Sequence, residues 1–242
     1  DAIRDMEAVV TMLPAGKHVR SVYANDVIIN AAPGTLVLDC STIDVDSARD
    51  VAEMAKAKNI VPVDAPVSGG IAAANGGTLT FMVGGSEEAF KRAEPILSDM
   101  GKTVIHAGDN GAGQAAKICN NMLLGASMVA TCETFKMAEK LGLDLQTFYD
   151  ISSKASGQNW SMTSYCPVPG VGPQSPADNG YEGGFAAALM LKDLRLAMEA
   201  AQSVGAEVPM GEKAAALYTQ YAEGEEQGGM DFSGIIKMLD QS

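Results

Sequence analysis

Residues 111–140, GAGQAAKICNNMLLGASMVATCETFKMAEK, decide the fold of this chain. After a glycine-rich start the stretch contains no proline and consists mainly of good helix formers, which predicts one long helix. Between Asn110 and Cys132 its only charged side chain is Lys117. A solvated helix face would carry further charges, so the pattern favours a lysine away from solvent. Burial disfavours the ammonium form of a lysine and so produces an amine that can exchange protons near neutral pH.

Asn121 follows Lys117 by one helical turn, so both side chains lie on one face of the predicted helix. An amine and an amide in this arrangement can bind one small ligand together. A purely structural alternative is that Lys117 extends to the helix edge while Asn121 caps a neighbouring loop.

The start of the helix also fits the GxGxxG/A pattern of dinucleotide-binding loops, with Glu133 about twenty residues further on. That fingerprint requires the acidic residue at the end of a second strand, where it reaches the ribose. Glu133 falls inside the same helix, and no strand follows. Residues 111–116 are therefore not predicted to bind a nucleotide.

Upstream of residue 111, short apolar runs alternate with amphipathic stretches, which is typical of βαβ units and a parallel sheet. Strands are predicted at 8–13, 36–39, 60–64, 79–83 and 103–106, and helices at 15–31, 46–58 and 87–100. Downstream, helices are predicted at 114–141, 144–154, 185–204 and 209–226, without a strand. The predicted class is α/β: a partial Rossmann-type parallel sheet in residues 1–110, then an all-helical domain in 111–242 that the long helix opens.

Open parallel sheets bind ligands beyond the carboxyl ends of their strands. Three predicted strands end there in loops with suitable chemistry: Leu13-Pro14, Ser41-Thr42 and Ser68-Gly69-Gly70. A Ser-Gly-Gly turn lets backbone N–H groups approach an anion such as a carboxylate, and the serine hydroxyl adds a donor. The same tripeptide is also common in ordinary turns.

The C-terminal half contains two further candidates. The stretch 155–184 is rich in Pro, Gly, Ser and Asn, and loops of this length are usually functional or disordered. Its aromatic residues, among them Trp160 and Tyr165, favour an ordered loop near a site. Lys192 and Asp193 stand in an apolar helical stretch, where a solvated ion pair on the outer face agrees with the pattern at least as well as a functional role.

The composition excludes several classes of protein. The formal net charge is −13, which disfavours nucleic acid and anionic membranes as partners. The four cysteines form no CxxC pair and there are two histidines, so no metal site is predicted. Scattered cysteines suit a reducing compartment, and no apolar run is long enough to span a membrane. The acidic balance and the lack of a visible targeting segment favour the cytoplasm.

Four segments together resemble the β-hydroxyacid dehydrogenase family. They are DAPVSGGIAAANGGTLTFMVGG (64–85), GAGQAAKICNNMLL (111–124), PVPGV (167–171) and GGFAAALMLKDLRLA (183–197). The segments stand in the family's order, and the resemblance extends from about Val9 to the C-terminus.

The resemblance implies an NAD-dependent oxidoreductase, with NADP not excluded, that converts 3-hydroxyisobutyrate to methylmalonate semialdehyde in valine catabolism. It implies a small hydroxy acid as substrate, a homo-oligomer (dimer or tetramer), and the mitochondrial matrix as an alternative to the cytoplasm. The implied roles are proton transfer by Lys117, substrate binding by Ser68, Gly69, Gly70 and Asn121, and cofactor binding by Leu13, Pro14, Thr42 and Lys192. The loop from Trp160 to Phe185 would close over the substrate.

The beginning of the chain departs from the family's pattern. The family starts with a βαβ unit that carries GxGxxG and takes about 30 residues or more, whereas eight residues precede Val9. We therefore expect residues 1–110 to form only the second half of a dinucleotide-binding domain. Two alternative functions stay open: a tartronate-semialdehyde or other short β-hydroxyacid reductase, and a cofactor-free, non-catalytic subunit if the N-terminal half is absent.

Overall fold

The computed structural model describes residues 2–224 and 227–240. Internal contacts divide the chain into two compact units, one ending at Cys119 and one beginning at Asn120. The division falls inside the long helix α6 (Ala112–Lys140), whose existence the sequence predicted. Glu133 lies within this helix, as expected. The assignment of the whole helix to a second domain that begins at residue 111 stays a prediction.

The first unit is built on a six-stranded sheet. Its strands are β1 (Ala8–Thr11), β2 (Leu36–Asp39), β3 (Val61–Asp64), β4 (Val67–Ser68), β5 (Leu79–Gly84) and β6 (Gly101–Gly108). Strands β1, β2 and β3 are parallel neighbours, β5 is antiparallel to β3 and β4, and β6 is parallel to β5. The predicted parallel-dominated sheet is confirmed. The reversal at β5 arises because the short segment after β4 is not a full crossover connection.

Helices follow the strands of the first unit in the predicted alternation. They are α1 (Gly16–Val22), α2 (Ile28–Asn30), α3 (Val45–Lys56), the short α4 (Gly70–Asn75) and α5 (Glu87–Ser98), with a π-helical turn over Tyr23–Val27 between the first two. Side-chain caps begin two of them: Asp44 accepts the Ser47 N–H at α3, and Ser86 accepts the Ala89 N–H at α5. The helix predicted at 15–31 is thus interrupted, and α4 and β4 were not predicted.

Both faces of the sheet are covered, as strand β2 illustrates. Leu36 and Leu38 pack into one buried cluster together with Phe81. Val37, between them, packs into a second cluster with Val19 of α1. Successive side chains of a strand point to opposite faces, so a strand buried on both sides must be apolar throughout.

The second unit is helical, and the described residues after β6 form no strand beyond one isolated bridge between Ala186 and Asp231. Helix α6 is followed by α7 (Leu145–Ser152), α8 (Trp160–Thr163), α9 (Ala187–Val204) and α10 (Pro209–Thr219), and a 3₁₀ helix covers Phe232–Asp240. The prediction of an all-helical second part is confirmed. The helix predicted at 209–226 continues through a π-helical turn to Gly224, and residues 225–226 lie outside the described residues.

The stretch between α7 and α9 is ordered by its own hydrogen bonds, as predicted. Ser175 Oγ donates to the carbonyl of Cys166 at 2.7 Å, and the Gly170 N–H donates to Asp178 Oδ1 at 2.6 Å. Tyr181 is 5% exposed, and its hydroxyl donates to the carbonyl of Pro167 at 2.8 Å. Polar backbone groups of a long loop need such partners when the loop is packed against a core.

No helix in the described part of the chain has both the length and the apolar character needed to cross a membrane.

Candidate active site

The carboxyl edge of the first three strands carries a row of polar side chains. Thr11, Asp39 and Asp64 are register partners across β1, β2 and β3. Asp39 is 5% exposed, and its Oδ1 accepts from Thr11 Oγ1 at 2.9 Å, from Ser41 Oγ at 2.6 Å and from the Ser41 N–H at 3.3 Å. Burial raises the pKa of the Asp39 carboxyl above its ordinary value, while the Ser41 and Thr11 hydrogen bonds oppose that shift.

Asp64 joins the sheet to the start of helix α6. Its Oδ1 accepts from the Gly111 N–H at 2.7 Å and its Oδ2 from the Gln114 N–H at 3.0 Å. The carboxylate therefore satisfies N–H groups that the first turn of a helix leaves without partners. Burial raises the pKa of Asp64, and these N–H donors oppose the shift. A Cβ at Gly113 would clash with the carbonyl oxygen of Met82, so the GxG sequence serves close packing of α6 on the sheet.

Two of the predicted cofactor loops meet at Ser41. The Leu13 N–H donates to Ser41 Oγ at 2.7 Å, which ends strand β1 at Thr11, two residues before the predicted end. Thr42 is half-buried and follows Ser41 directly, while Pro14 is exposed. The loop after β1 and the loop after β2 are thus held together by one hydroxyl.

The groups that these loops carry are of the kinds that could hold a nicotinamide dinucleotide, and their role in cofactor binding stays a prediction. Leu13 and Pro14 offer apolar surface suited to a flat ring, and the Thr42 hydroxyl can bond a sugar. Three protein donors compensate the nearby Asp39 carboxylate at Oδ1.

The Ser68-Gly69-Gly70 turn lies between β4 and α4. Ser68 is half-buried, and both glycines are exposed. Gly69 has φ +128° and Gly70 has φ +66°, which are conformations that residues with a side chain rarely adopt. A Cβ at Gly69 would also clash with Ala73. The turn therefore requires its glycines for conformational reasons, and its role in carboxylate binding stays a prediction.

Helix α6 carries both Lys117 and Asn121 in buried positions. Lys117 is 7% exposed and Asn121 is 1% exposed, so neither stands on a solvated face. The predicted burial of the lysine is observed, and the alternative in which it extends to the solvent at the helix edge does not agree with this exposure.

In the second unit, Asn121 meets the pair Lys192 and Asp193 on α9. Asn121 Nδ2 donates to Asp193 Oδ2 at 2.6 Å, and Asn121 Oδ1 accepts from Asn120 Nδ2 at 3.0 Å. Lys192 Nζ lies 3.3 Å from Asp193 Oδ1, an ion-pair contact without the alignment of a hydrogen bond. Asp193 is 3% exposed, so the pair is not a solvated pair on the outer face.

Asp231 anchors the loop that follows α8. It is fully buried; its Oδ2 accepts from the Tyr165 hydroxyl and the Phe185 N–H, both at 2.7 Å, and its Oδ1 accepts from the N–H and hydroxyl of Ser233. Trp160 stacks on Tyr165 with ring centroids 4.9 Å apart, and its own side chain is half exposed. Burial raises the pKa of Asp231, with the four donors opposing it.

Four buried polar residues of these clusters were not predicted as site residues. Asp39 and Asp64 each end an apolar strand, LVLD and VPVD, and this repeated pattern was a usable signal. Gln114 and Asp231 have no comparable local signal, because their partners lie far away in sequence. Among the described residues, no group of His, Cys, Asp and Glu side chains could hold a metal ion.

Two family models match the chain. One, described as the NAD binding domain of 6-phosphogluconate dehydrogenase, matches residues 1–108. The other, described as NAD-binding of NADP-dependent 3-hydroxyisobutyrate dehydrogenase, matches residues 111–239. The first match begins at residue 1, which argues against the expectation that residues 1–110 lack the N-terminal part of that domain.

Individual relatives agree with the family models. The chain is 50% identical over 235 residues to the 3-hydroxyisobutyrate dehydrogenase of Pseudomonas aeruginosa, an alignment that covers 96% of this chain and 79% of that protein. It is 45% identical over 247 residues to the NAD-dependent L-serine dehydrogenase of the same species, covering 99% of this chain and 81% of that protein.

A solved structure supports the same assignment. The Mycobacterium tuberculosis 3-hydroxyisobutyrate dehydrogenase with L-serine has 46% sequence identity and a TM-score of 0.94, covering 98% of this chain and 81% of that chain. Because both units match family models and the relatives align over nearly all of this sequence, the chain belongs to the 3-hydroxyisobutyrate dehydrogenase family.

Proposed function

We propose that this protein oxidises 3-hydroxyisobutyrate to methylmalonate semialdehyde with NAD, NADP being an accepted alternative, and that Lys117 is its acid–base residue. The observation that carries the proposal is the burial of Lys117, 7% exposed, in a helix segment that holds no other charge. An amine in such surroundings is suited to proton transfer near neutral pH. Membership of the family supplies the reaction class.

The proposed chemistry assigns one task to each group. Backbone N–H groups of Ser68, Gly69 and Gly70 bind the substrate carboxylate, and Asn121 orients the substrate. Lys117 Nζ, uncharged, takes the proton of the substrate hydroxyl while the hydrogen on the same carbon departs as hydride and the C–O bond becomes a carbonyl. The nicotinamide supplies the hydride acceptor when it is bound. In reverse, Lys117 donates its proton to the carbonyl oxygen.

Leu13, Pro14 and Thr42 are proposed to line the dinucleotide site, and Lys192 to extend towards its nicotinamide end. Support comes from the hydrogen bond between the Leu13 N–H and Ser41, which keeps the loops after β1 and β2 together. The loop from Trp160 to Phe185 is proposed to close over the substrate. Its fixed attachment is Asp231, which binds Tyr165 and the Phe185 N–H.

Replacement of the lysine tests the proposal. In Lys117→Ala, kcat should fall by about 10²- to 10⁴-fold, the usual contribution of general acid–base catalysis. Lys117→Arg should not restore it, because a guanidinium does not release its proton near neutral pH. Lys140→Ala, an exposed lysine of the same helix, is the control and should leave kcat unchanged. Activity of Lys117→Ala within a few-fold of the parent would rule out the assignment.

The identity of the hydroxy acid needs its own measurement. L-serine is a second candidate substrate, since the chain is 45% identical to an NAD-dependent L-serine dehydrogenase. The two substrates share a carboxylate and a primary hydroxyl but differ in a methyl group against an ammonium group. We expect kcat/KM for 3-hydroxyisobutyrate to exceed that for L-serine and for glycerate by at least about tenfold, since burying an ammonium without a dedicated partner is costly. Comparable values would favour a broad short-chain β-hydroxyacid dehydrogenase.

The remaining assignments are proposals of organisation. Residues 1–110 are proposed to act as the dinucleotide-binding domain, and 111–242 as a substrate-binding and dimerisation domain. We propose a homo-oligomer, a dimer or a tetramer, which analytical ultracentrifugation would decide. We propose the cytoplasm as its compartment, with the mitochondrial matrix as the alternative. All four cysteines are free thiols, which suits either reducing compartment.

A further inference from the structure

Gln114 connects the helix that carries Lys117, on which it lies, to the predicted cofactor loop after β2. It lies one turn before Lys117 on α6, and its side chain is completely buried. Its Oε1 accepts from the Ile43 N–H at 3.1 Å, and its Nε2 donates to the carbonyl of Ser41 at 2.7 Å. These two backbone groups stand on either side of Thr42.

The same contacts extend to the loop after β1. Ser41, whose carbonyl binds Gln114, accepts the Leu13 N–H at its hydroxyl and donates that hydroxyl to Asp39. One buried amide therefore fixes the Thr42 loop directly and the Leu13 loop through Ser41. Surface loops are ordinarily more mobile than the elements they connect. Hydrogen bonds that fix these loops therefore reduce the motion that a ligand would have to stop when it binds.

The side chain of Gln114 is not needed to begin the helix. Asp64 already accepts the N–H groups of Gly111 and Gln114 at the first turn of α6. The side-chain amide of Gln114 instead donates to the Ser41 carbonyl and accepts from the Ile43 N–H. This arrangement identifies the loop, rather than the helix, as the element that it orients.

We propose that Gln114 is a positioning residue that holds the Thr42 and Leu13 loops in register with the helix carrying Lys117, so that the cofactor loops are formed before the dinucleotide binds. The inference rests on the proposed function for the identity of the ligand. Preorganised loops lose less conformational entropy on binding, so the clamp favours cofactor affinity rather than substrate affinity.

Two variants test the proposal. Gln114→Met keeps the length of the side chain and removes both hydrogen bonds. Gln114→Glu keeps an acceptor for the Ile43 N–H and places a carboxylate oxygen opposite the Ser41 carbonyl, where no donor remains. The matched control is Asn110→Ala, which removes a side-chain hydrogen bond to the Pro62 carbonyl, 3.0 Å long, in the same unit without touching residues 41–43.

The first readout needs neither cofactor nor activity. In the ligand-free protein, hydrogen exchange of the Ile43 N–H should accelerate by about tenfold or more in Gln114→Met, as loss of a hydrogen bond worth about 1.4 kcal/mol predicts. It should stay near the parent rate in Asn110→Ala. Because exchange reports the clamp directly, unchanged protection of Ile43 in Gln114→Met would overturn the inference.

The second measurement distinguishes an effect on cofactor binding from an effect on substrate binding. In both Gln114 variants the Kd for NAD, measured by calorimetric titration, should rise by about tenfold. The KM for the hydroxy acid should stay within about twofold of the parent, a difference between Kd and KM that a general loss of stability would not produce.

Should Gln114→Met not fold, Gln114→Glu decides the question on its own. An unchanged Kd in a folded variant would overturn the inference, whereas absence of NAD binding in the parent would overturn the proposed function and leave the exchange result valid.

Discussion

The side-chain amide of Asn121 donates to Asp193 Oδ2 at 2.6 Å, and both residues are almost completely buried. The partners come from helices α6 and α9 and stand far apart in the sequence. Lys192 Nζ lies 3.3 Å from the other carboxylate oxygen. A single buried carboxylate therefore contacts two residues that are predicted to bind substrate and cofactor.

Removal of that carboxylate should affect both stability and turnover. Asp193→Ala leaves the buried amide of Asn121 without its acceptor, and we expect the free energy of unfolding to fall by about 1–3 kcal/mol. We expect kcat/KM to fall at least about tenfold, since Asn121 loses its fixed orientation. Urea denaturation and steady-state kinetics check this, with Glu199→Ala, an exposed position of the same helix, as the control. Parent-like kcat/KM in Asp193→Ala would show that the contact does not serve the site.

The two strand-end carboxylates should respond differently to replacement by asparagine. All three hydrogen bonds of Asp39 converge on Oδ1, so Asp39→Asn can retain them without a buried charge. Asp64 uses one oxygen for Gly111 and the other for Gln114, and an asparagine can accept at only one. Near neutral pH we expect Asp64→Asn to lower the free energy of unfolding by about 1–3 kcal/mol and Asp39→Asn to change it little or raise it. Equal losses in the two variants would contradict this account.

The pH dependence of stability follows from the same carboxyls. Burial raises the pKa of Asp39 above its ordinary value of 3.8, so the folded chain holds this proton more tightly than the unfolded chain. As the pH rises from 3.8 through the folded pKa, Asp39 of the unfolded chain loses its proton first, so the contribution of Asp39 to the free energy of unfolding decreases over that window.

Asp39→Asn removes one group from this linkage. We expect the decrease in unfolding free energy above about pH 4 to be smaller in the variant than in the parent. The other carboxyls remain in both proteins: burial raises the pKa values of Asp64 and Asp231, and hydrogen bonds lower those of Glu87, Asp178 and Glu223. The difference between the two proteins therefore reports Asp39 alone. Denaturation series across the pH range measure the two slopes, and a steeper decrease in Asp39→Asn would refute the assignment.

Two neighbouring glycines before α9, Gly183 and Gly184, allow the contacts of Asp231 to be tested with one variant and one matched control. Gly184 has φ +68°, and a Cβ there would clash with Asp231 Oδ2 and the Tyr165 hydroxyl. Gly183 has φ +82° with nothing near a Cβ, so Gly183→Ala costs backbone strain alone, about 1 kcal/mol. Gly184→Ala adds the clash, and we expect a loss of stability at least about 2 kcal/mol larger.

Trp160, the only tryptophan, reports the same anchor by fluorescence because it stacks on Tyr165. Gly184→Ala should change its emission in the folded protein, and Gly183→Ala should not. Identical emission spectra for the two variants would indicate that Asp231 does not hold the aromatic pair in place.

Much of the architecture follows from local pattern. The alternation of apolar runs and amphipathic stretches predicted the parallel-dominated sheet. The proline-free stretch at 111–140 predicted helix α6, and the position of Lys117 as its only charge before Cys132 predicted the burial of that lysine. Details set by distant partners were missed. Strand β1 ends early because Ser41 takes the Leu13 N–H, and the strand and helix around the Ser-Gly-Gly turn, β4 and α4, were not predicted.

The sequence by itself determined the longer strands and helices, because hydrophobic period and helix propensity act over a few neighbouring residues. It also determined the family, through motifs that stand intact in the chain. Only the tertiary structure decided that Gln114 holds the Thr42 loop, that Asp193 binds Asn121 and that Asp231 anchors Tyr165. Each of these is a buried polar contact between residues far apart in the chain. A buried polar group needs a hydrogen-bond partner, and the local sequence does not tell which distant residue the fold places within reach.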